Sequence, residues 1–127
     1  MSLLIKEATT KDIHDLILLG RNTYKEHFEQ IWHDIDSFLD KDFSVEALIY
    51  CINNRHLHRY LLALDDDGLL GFAKLNLDTK LPNQDLPGVE LQKIYIKKNA
   101  VGQNIGSALL DESIKIAVDL KRTYIWL

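Results

Sequence analysis

The stretch "KIYIKKNAVGQNIGSALLDES", residues 93–113, decides how the rest of the chain is read. It runs from apolar Ile94, Tyr95 and Ile96 through a loop holding Gly102 and Gly106 into a segment with helical spacing, and those are two of only six glycines in the chain. A strand, a glycine-bearing turn and a helix start aim several backbone N–H groups and the positive end of a helix dipole at one point, which is where an anion binds. Glycine suits such a loop because a Cβ would block close approach, and Asn104 is one of the few other residue types that accepts left-handed backbone. The Gly-Lys-Ser/Thr ending of a nucleoside-triphosphate loop is missing and the dinucleotide fingerprint does not fit. The competing reading is a glycine loop that only turns the chain.

On its N-terminal side, "VELQKIYI" (residues 89–96) reads as a strand, apolar enough at Leu91, Ile94, Tyr95 and Ile96 to lie centrally in a sheet. Strict alternation places Glu90, Gln92 and Ile94 on one face and Lys93 and Tyr95 on the other. On its C-terminal side the spacing predicts a helix of about four turns with Ile105, Leu109, Leu110, Ile114, Ala117 and Val118 inward and Asp111, Glu112, Lys115 and Asp119 outward. "TYIWL", residues 123–127, then starts another strand.

Toward the N-terminus, residues 3–7 read as a short strand, and Thr9 with Asp12 forms a capping box before a helix whose core face is Ile13, Leu16, Ile17, Gly20, Tyr24 and Phe28. A second, shorter helix follows Ser44, a good N-cap, with Val45, Leu48, Ile49 and Ile52 as its apolar stripe. In "RYLLALDDDGLLGFAKLNLDT", residues 59–79, two apolar runs flank an Asp-Gly turn and predict a hairpin. Its three aspartates lack the later ligands and bidentate glutamate of a calcium loop. "LPNQDLPG" is a loop, and the element order is β, α, α, β, β, β, α, β in a single domain spanning residues 1–127.

With 127 residues the chain has room for one hydrophobic core, and 46% hydrophobic with 27% charged residues is an ordinary globular composition. No apolar run reaches the roughly 18 residues that cross a bilayer. One cysteine, Cys51, excludes an internal disulfide and fits a reducing compartment, so a cytoplasmic location is expected. A net charge of −4 argues against nucleic acid or an anionic membrane as partner. Between residues 26 and 42, six carboxylates (Glu26, Glu29, Asp34, Asp36, Asp40, Asp42) accompany one lysine. They read as a solvated acidic face or as a rim that attracts a cationic substrate. His56 and His58 lack a third ligand nearby and read as a surface pair, so no metal is expected. Cys51 reads as a small buried hydrophobe.

The words "VELQKIYI" and "NIGSALL", in this order of elements, resemble the GNAT family of N-acetyltransferases. The resemblance implies an α/β fold with a mixed central sheet and flanking helices. It implies acetyl-CoA as cosubstrate, no metal, and transfer of an acetyl group to a primary amine of a small molecule. The family's pyrophosphate loop, Gln/Arg-x-x-Gly-x-Gly/Ala, falls on Val101, Gly102, Gln103, Asn104, Ile105 and Gly106, followed by a helix whose start includes Ser107. Val101 replaces the usual Gln/Arg and Asn104 the first Gly. A shift by two residues matches Gln103, Gly106 and Ala108 literally but puts Ala108 inside the helix. By the same resemblance, main-chain groups of Ile94, Tyr95 and Ile96 pair with pantetheine, and Glu90 corresponds to the general base of the histone-acetylating branch. A solvated strand-end carboxylate is its other reading. Tyr50, Tyr60 and Tyr124 are candidate acids by default.

Within that family the chain looks most like bacterial spermidine/spermine acetyltransferases, which implies a polyamine acceptor. Members continue past the "IWL" strand with a helix and two strands, so about forty residues and the closing C-terminal strands are expected to be missing from the chain, in line with the usual domain length. That edge is expected to be covered by a second copy in a homodimer through the exposed last strand, by an exchanged segment or by the missing residues. The rival readings are a non-catalytic CoA-binding or regulatory module and a structural interaction domain.

Overall fold

The computed structural model describes residues 3–127. Five strands, β1 (Leu4–Glu7), β2 (His58–Asp65), β3 (Gly68–Thr79), β4 (Gly88–Ile96) and β5 (Ile125–Trp126), lie side by side in sequence order. All neighbours are antiparallel except β4 and β5, which run parallel. Helices α1 (Ile13–Phe28), α2 (Ile35–Asp42) and α3 (Val45–Asn53) cover one face, and α4 (Ile105–Asp119) covers the other. This is the mixed sheet with flanking helices that the resemblance implied, and the sheet does not close into a barrel.

Local chemistry explains the elements. The Asp12 carboxylate accepts the Thr9 N–H at 2.8 Å, completing the capping box before α1. The Ser44 hydroxyl accepts the Ala47 N–H at 3.1 Å at the start of α3. Gly20 lets α1 approach the Phe43 ring, because an added Cβ would overlap that ring. Strands β2 and β3 turn through Asp66 and Asp67, with Gly68 at φ +123°.

Three expectations about the helices are corrected. A third helix, α2, lies inside the acid-rich run, so three helices and not two precede β2. Its Ile35 and Leu39 are buried, each burial contributing about 1.5–3 kcal/mol, which outweighs the weak helix propensity of the aspartates around them. On α3 the buried positions are Leu48 and Cys51, while Val45 and Ile49 are exposed. On α4 the core face is Ile105, Leu109, Ser113, Ile116 and Ala117, leaving Leu110, Ile114 and Val118 exposed. Ser113 enters the core because its hydroxyl donates to the Leu109 carbonyl at 2.8 Å.

The strand that carries the candidate site departs from regular pleating. Lys74 pairs with Lys93 and Leu75 with Leu91, so Gln92 has no partner on β3 and the strand bulges there. The extra residue reverses the alternation. Val89, Leu91, Ile94 and Ile96 pack toward α4, whereas Lys93 and Tyr95 face the α1 to α3 layer together with Glu90, which bonds Asn76 across the strands. The expected grouping of Glu90 and Gln92 with Ile94 is therefore wrong.

Candidate active site

At the C-terminal end of β4 the chain makes a short 3₁₀ turn over Lys98–Ala100 and enters the glycine loop. Gly102 has φ +92°, and Asn104 is left-handed at φ 62°, ψ 20°, the conformation its residue type tolerates. Asn104 is the residue immediately before α4, and Ala108 is the first residue of α4 whose N–H finds a carbonyl, that of Asn104 at 3.1 Å. Among the described residues, no N–H from residues 102–107 has an acceptor. One short loop at a helix N-terminus thus holds six N–H donors without an acceptor among the described residues. Gly106 sits against the strand end, where an added Cβ would lie 3.3 Å from Ile96 Cδ1. Ala108 is the fourth residue of α4, whereas Ile105 and Gly106 are its first two.

Helix α1 touches the same junction. His27 Nε2 donates to the Ile96 carbonyl at 3.2 Å, and the Lys98 N–H donates to Glu26 Oε1 at 3.4 Å. The Ile96 carbonyl is therefore already an acceptor, and of the three strand-end residues only Ile94 and Tyr95 keep main-chain oxygens without a side-chain donor.

Beside β4, on the helical side of the bulge, lies a cavity of about 370 Å³ lined by Tyr24, Phe28, Trp32, Phe38, Gln92, Lys93 and Tyr95. Its walls are aromatic, with Tyr24 at centre-to-centre distances of 5.0 Å from Phe38 and 4.7 Å from Tyr95. Burial raises the Tyr24 hydroxyl well above its ordinary pKa, reinforced by Tyr95, so it stays protonated. Lys93 is 5% exposed, pairs with Asp42, and holds its ammonium 5.4 Å from the centre of the Phe38 ring. Burial lowers its pKa, opposed by the hydrogen bond and charge of Asp42.

Sequence reasoning missed this cavity because its walls come from α1, the unrecognised α2, the segment between them and β4. The signal was Trp32 and Phe38, inside a run whose charge drew the reading, next to Phe28 of the α1 core face. That charge is also partly neutralised: Asp36 pairs with Lys25 at 3.3 Å, Asp40 with Arg21 at 3.1 Å, and Asp42 with Lys93. With Glu26 taking the Lys98 N–H, Glu29 and Asp34 are the two of the six carboxylates without a partner among the described residues.

Glu90 stands on β4 two positions before the bulge, opposite Asn76, whose Nδ2 donates to Glu90 Oε1 at 2.8 Å. Of the default acids, Tyr60 is 2% exposed with its hydroxyl pKa raised by burial, and Tyr124 donates to the Leu86 carbonyl at 2.8 Å while accepting the Leu81 N–H. Both are structural. Tyr50 is exposed on α3. Strand β5 is shorter than expected, pairing with β4 only through Ile125 and Trp126. A second, apolar cavity of about 240 Å³ opens there between Leu91, Leu110, Ile125, Trp126 and Leu127. No group of three metal-capable side chains occurs among the described residues, and none of their helices is long and apolar enough to cross a membrane.

A profile of the family described as Acetyltransferase (GNAT) matches residues 20–127. An uncharacterised N-acetyltransferase of Lactobacillus delbrueckii subsp. lactis is 24% identical over 126 residues, covering 97% of this chain and 72% of that protein. The crystal structure of PaiA N-acetyltransferase from Thermoplasma acidophilum in complex with coenzyme A superposes with a TM-score of 0.83 at 26% identity, covering 96% of this chain and 76% of that one. An aminoglycoside antibiotic 6′-N-acetyltransferase from Acinetobacter baumannii shares the fold at a TM-score of 0.77 and 16% identity, covering 98% and 78%.

Proposed function

The chain belongs to the acetyltransferase (GNAT) family, and on that premise we propose that it is an acetyl-CoA-dependent N-acetyltransferase acting on a primary amine of a small molecule, through one domain spanning residues 1–127. The observation that carries this reading is the run of six uncommitted N–H donors at residues 102–107, placed at the end of a bulged central strand. The structural neighbour solved with coenzyme A supports it.

In this reading Val101, Gly102, Gln103, Asn104, Ile105, Gly106 and Ser107 form the cradle of the CoA diphosphate; the N–H groups of residues 102–107 hold it, while the Val101 N–H bonds the Lys98 carbonyl, and main-chain donation needs no particular side chain at Val101 or Asn104. Main-chain groups of Ile94, Tyr95 and Ile96 orient the pantetheine arm, with the Ile96 carbonyl shared with His27. Glu90 takes a proton from the acceptor ammonium. The free amine then forms the new C–N bond as the thioester C–S bond breaks, and the second proton that the nitrogen sheds passes to the departing thiolate.

The acceptor occupies the aromatic cavity beside Gln92 and Tyr95. A polyamine acceptor rests on Glu29 and Asp34, since the other four carboxylates of the run are engaged. The aromatic walls favour an amine carried on an apolar body. A second copy is proposed to dock along β5, whose outer edge pairs with nothing among the described residues. Light scattering that finds only monomer at micromolar concentration contradicts that part.

Release of CoA thiol from acetyl-CoA, followed with spermidine, phenethylamine and butylamine, tests the function. Acetylated product with at least one amine is the expected result. Tight CoA binding without transfer to any amine would favour the non-catalytic, CoA-binding module.

A further inference from the structure

His58, Asn76 and Glu90 form one row across three adjacent strands, since His58 pairs with Asn76 in the β2–β3 register and Asn76 with Glu90 in the β3–β4 register. His58 Nδ1 and Asn76 Oδ1 are 2.8 Å apart, as are Asn76 Nδ2 and Glu90 Oε1. Asn76 is only 8% exposed, so its amide must be satisfied within the protein.

The directions of these bonds follow from chemistry. An ionised carboxylate only accepts, so the amide atom facing Glu90 is the NH₂ group. The Asn76 carbonyl oxygen must then face His58, and His58 must donate from Nδ1. Protonation of the imidazole at Nε2 leaves that donation intact. At the other end, Glu90 Oε1 is committed, whereas Oε2 accepts no hydrogen bond from any described residue. One oxygen is fixed and the other is open to a proton donor.

We propose that His58 and Asn76 are positioning residues that lock the Glu90 carboxylate with Oε1 held and Oε2 presented to the acceptor ammonium. This rests on the reading of Glu90 as base. It gives His58, which the sequence suggested was a surface residue, a defined task. A mobile glutamate on a strand would lose part of the benefit of a fixed base, since catalysis depends on holding the acceptor oxygen within hydrogen-bond reach. The ionisable neighbours of the row on the same face are Tyr60 from β2, Lys74 from β3, Lys93 and Tyr95 from β4, Tyr50 and Cys51 from α3, and Asp42 from α2.

The test combines nitrogen NMR of His58 with pH–rate profiles on the full chain. The neutral imidazole is expected as the Nδ1–H tautomer; a bare Nδ1 overturns the row whatever the activity. Asn76→Asp removes the donor and sets a second carboxylate against Glu90, so kcat should fall about tenfold or more at pH 7 with the KM for acetyl-CoA unchanged. The acidic limb of kcat/KM should move to higher pH by about one unit. His58→Ala should lower kcat several-fold, and His58→Asn, which keeps a donor near the Nδ1 position, should restore it. If Glu90→Gln impairs turnover but the Asn76 and His58 variants change only melting temperature, the positioning role is overturned while the base survives. If Glu90→Gln changes nothing at any pH, the base reading falls, and the positioning role with it.

Discussion

Lys93 on β4 and Asp42 in the last turn of α2 form a largely buried ion pair that ties the acid-rich helix to the central strand and floors the aromatic cavity. Asp42→Asn leaves the 5% exposed ammonium without its counter-charge, and because Asp42 is one-third exposed the loss is smaller than for a fully buried pair, about 2 kcal/mol. Lys93→Met, which removes the buried cation and keeps the stem volume, should cost less. Burial lowers the Lys93 pKa in the folded state, so folding gains stability as pH rises from the folded toward the unfolded lysine value of about 10.4. The deficit of Asp42→Asn should therefore shrink between pH 7 and about pH 9.5 in urea melts, an interval in which lysine titration begins. A deficit constant across it would show that Lys93 is not the group left uncompensated.

Glu90→Gln should reduce kcat by about 100-fold or more while the CoA dissociation constant stays within about twofold. The amide keeps the size of the side chain, so melting temperature should hold. Steady-state kinetics over a range of pH and calorimetric titration with CoA separate the two quantities. Equal loss in both would mark Glu90 as a binding residue.

Asp12 sits in the capping box that starts α1. Burial pushes its carboxyl up, but the Thr9 N–H at 2.8 Å and the Lys6 ammonium at 3.0 Å outweigh this and hold it below its ordinary value. A depressed carboxyl stabilises the fold fully above the unfolded value of about 3.9, and that contribution disappears as pH falls through the lower folded value. Asp12→Asn should cost about 1 kcal/mol at pH 7 and less near pH 2. Chemical denaturation at both pH values checks it; a pH-independent difference would assign the effect to packing.

The glycine loop and its flanking strand and helix were legible because their signals are local. Asn104 takes the left-handed conformation that its residue type allows, and Thr9, Asp12 and Ser44 cap as their spacing suggested. The bulge was less visible, although the sequence carries its mark: Val89 and Leu91 share one parity and Ile94 and Ile96 the other, and all four pack on one side. Helix α2 was hidden because Ile35, Phe38 and Leu39 lie among aspartates, so charge masked an i, i+3, i+4 stripe. On α4 apolar residues occur on both sides, and only tertiary packing decides that Ser113 goes in while Ile114 stays out. The row from His58 to Glu90 needs the strand register, which no local pattern supplies.

The central claim is that residues 102–107 bind the CoA diphosphate through main-chain donors. Isothermal titration of CoA into the wild-type chain, Gly106→Ala and Gly106→Asp tests it most directly. Gly106 has an ordinary helical backbone, and an added Cβ meets only the tip of Ile96 at 3.3 Å, so all three chains should fold, as circular dichroism can verify. The account predicts a measurable affinity for the wild type, a modest loss for alanine, and a loss of about tenfold or more for aspartate, whose charge faces the phosphates. Undiminished CoA affinity in folded Gly106→Asp would contradict it.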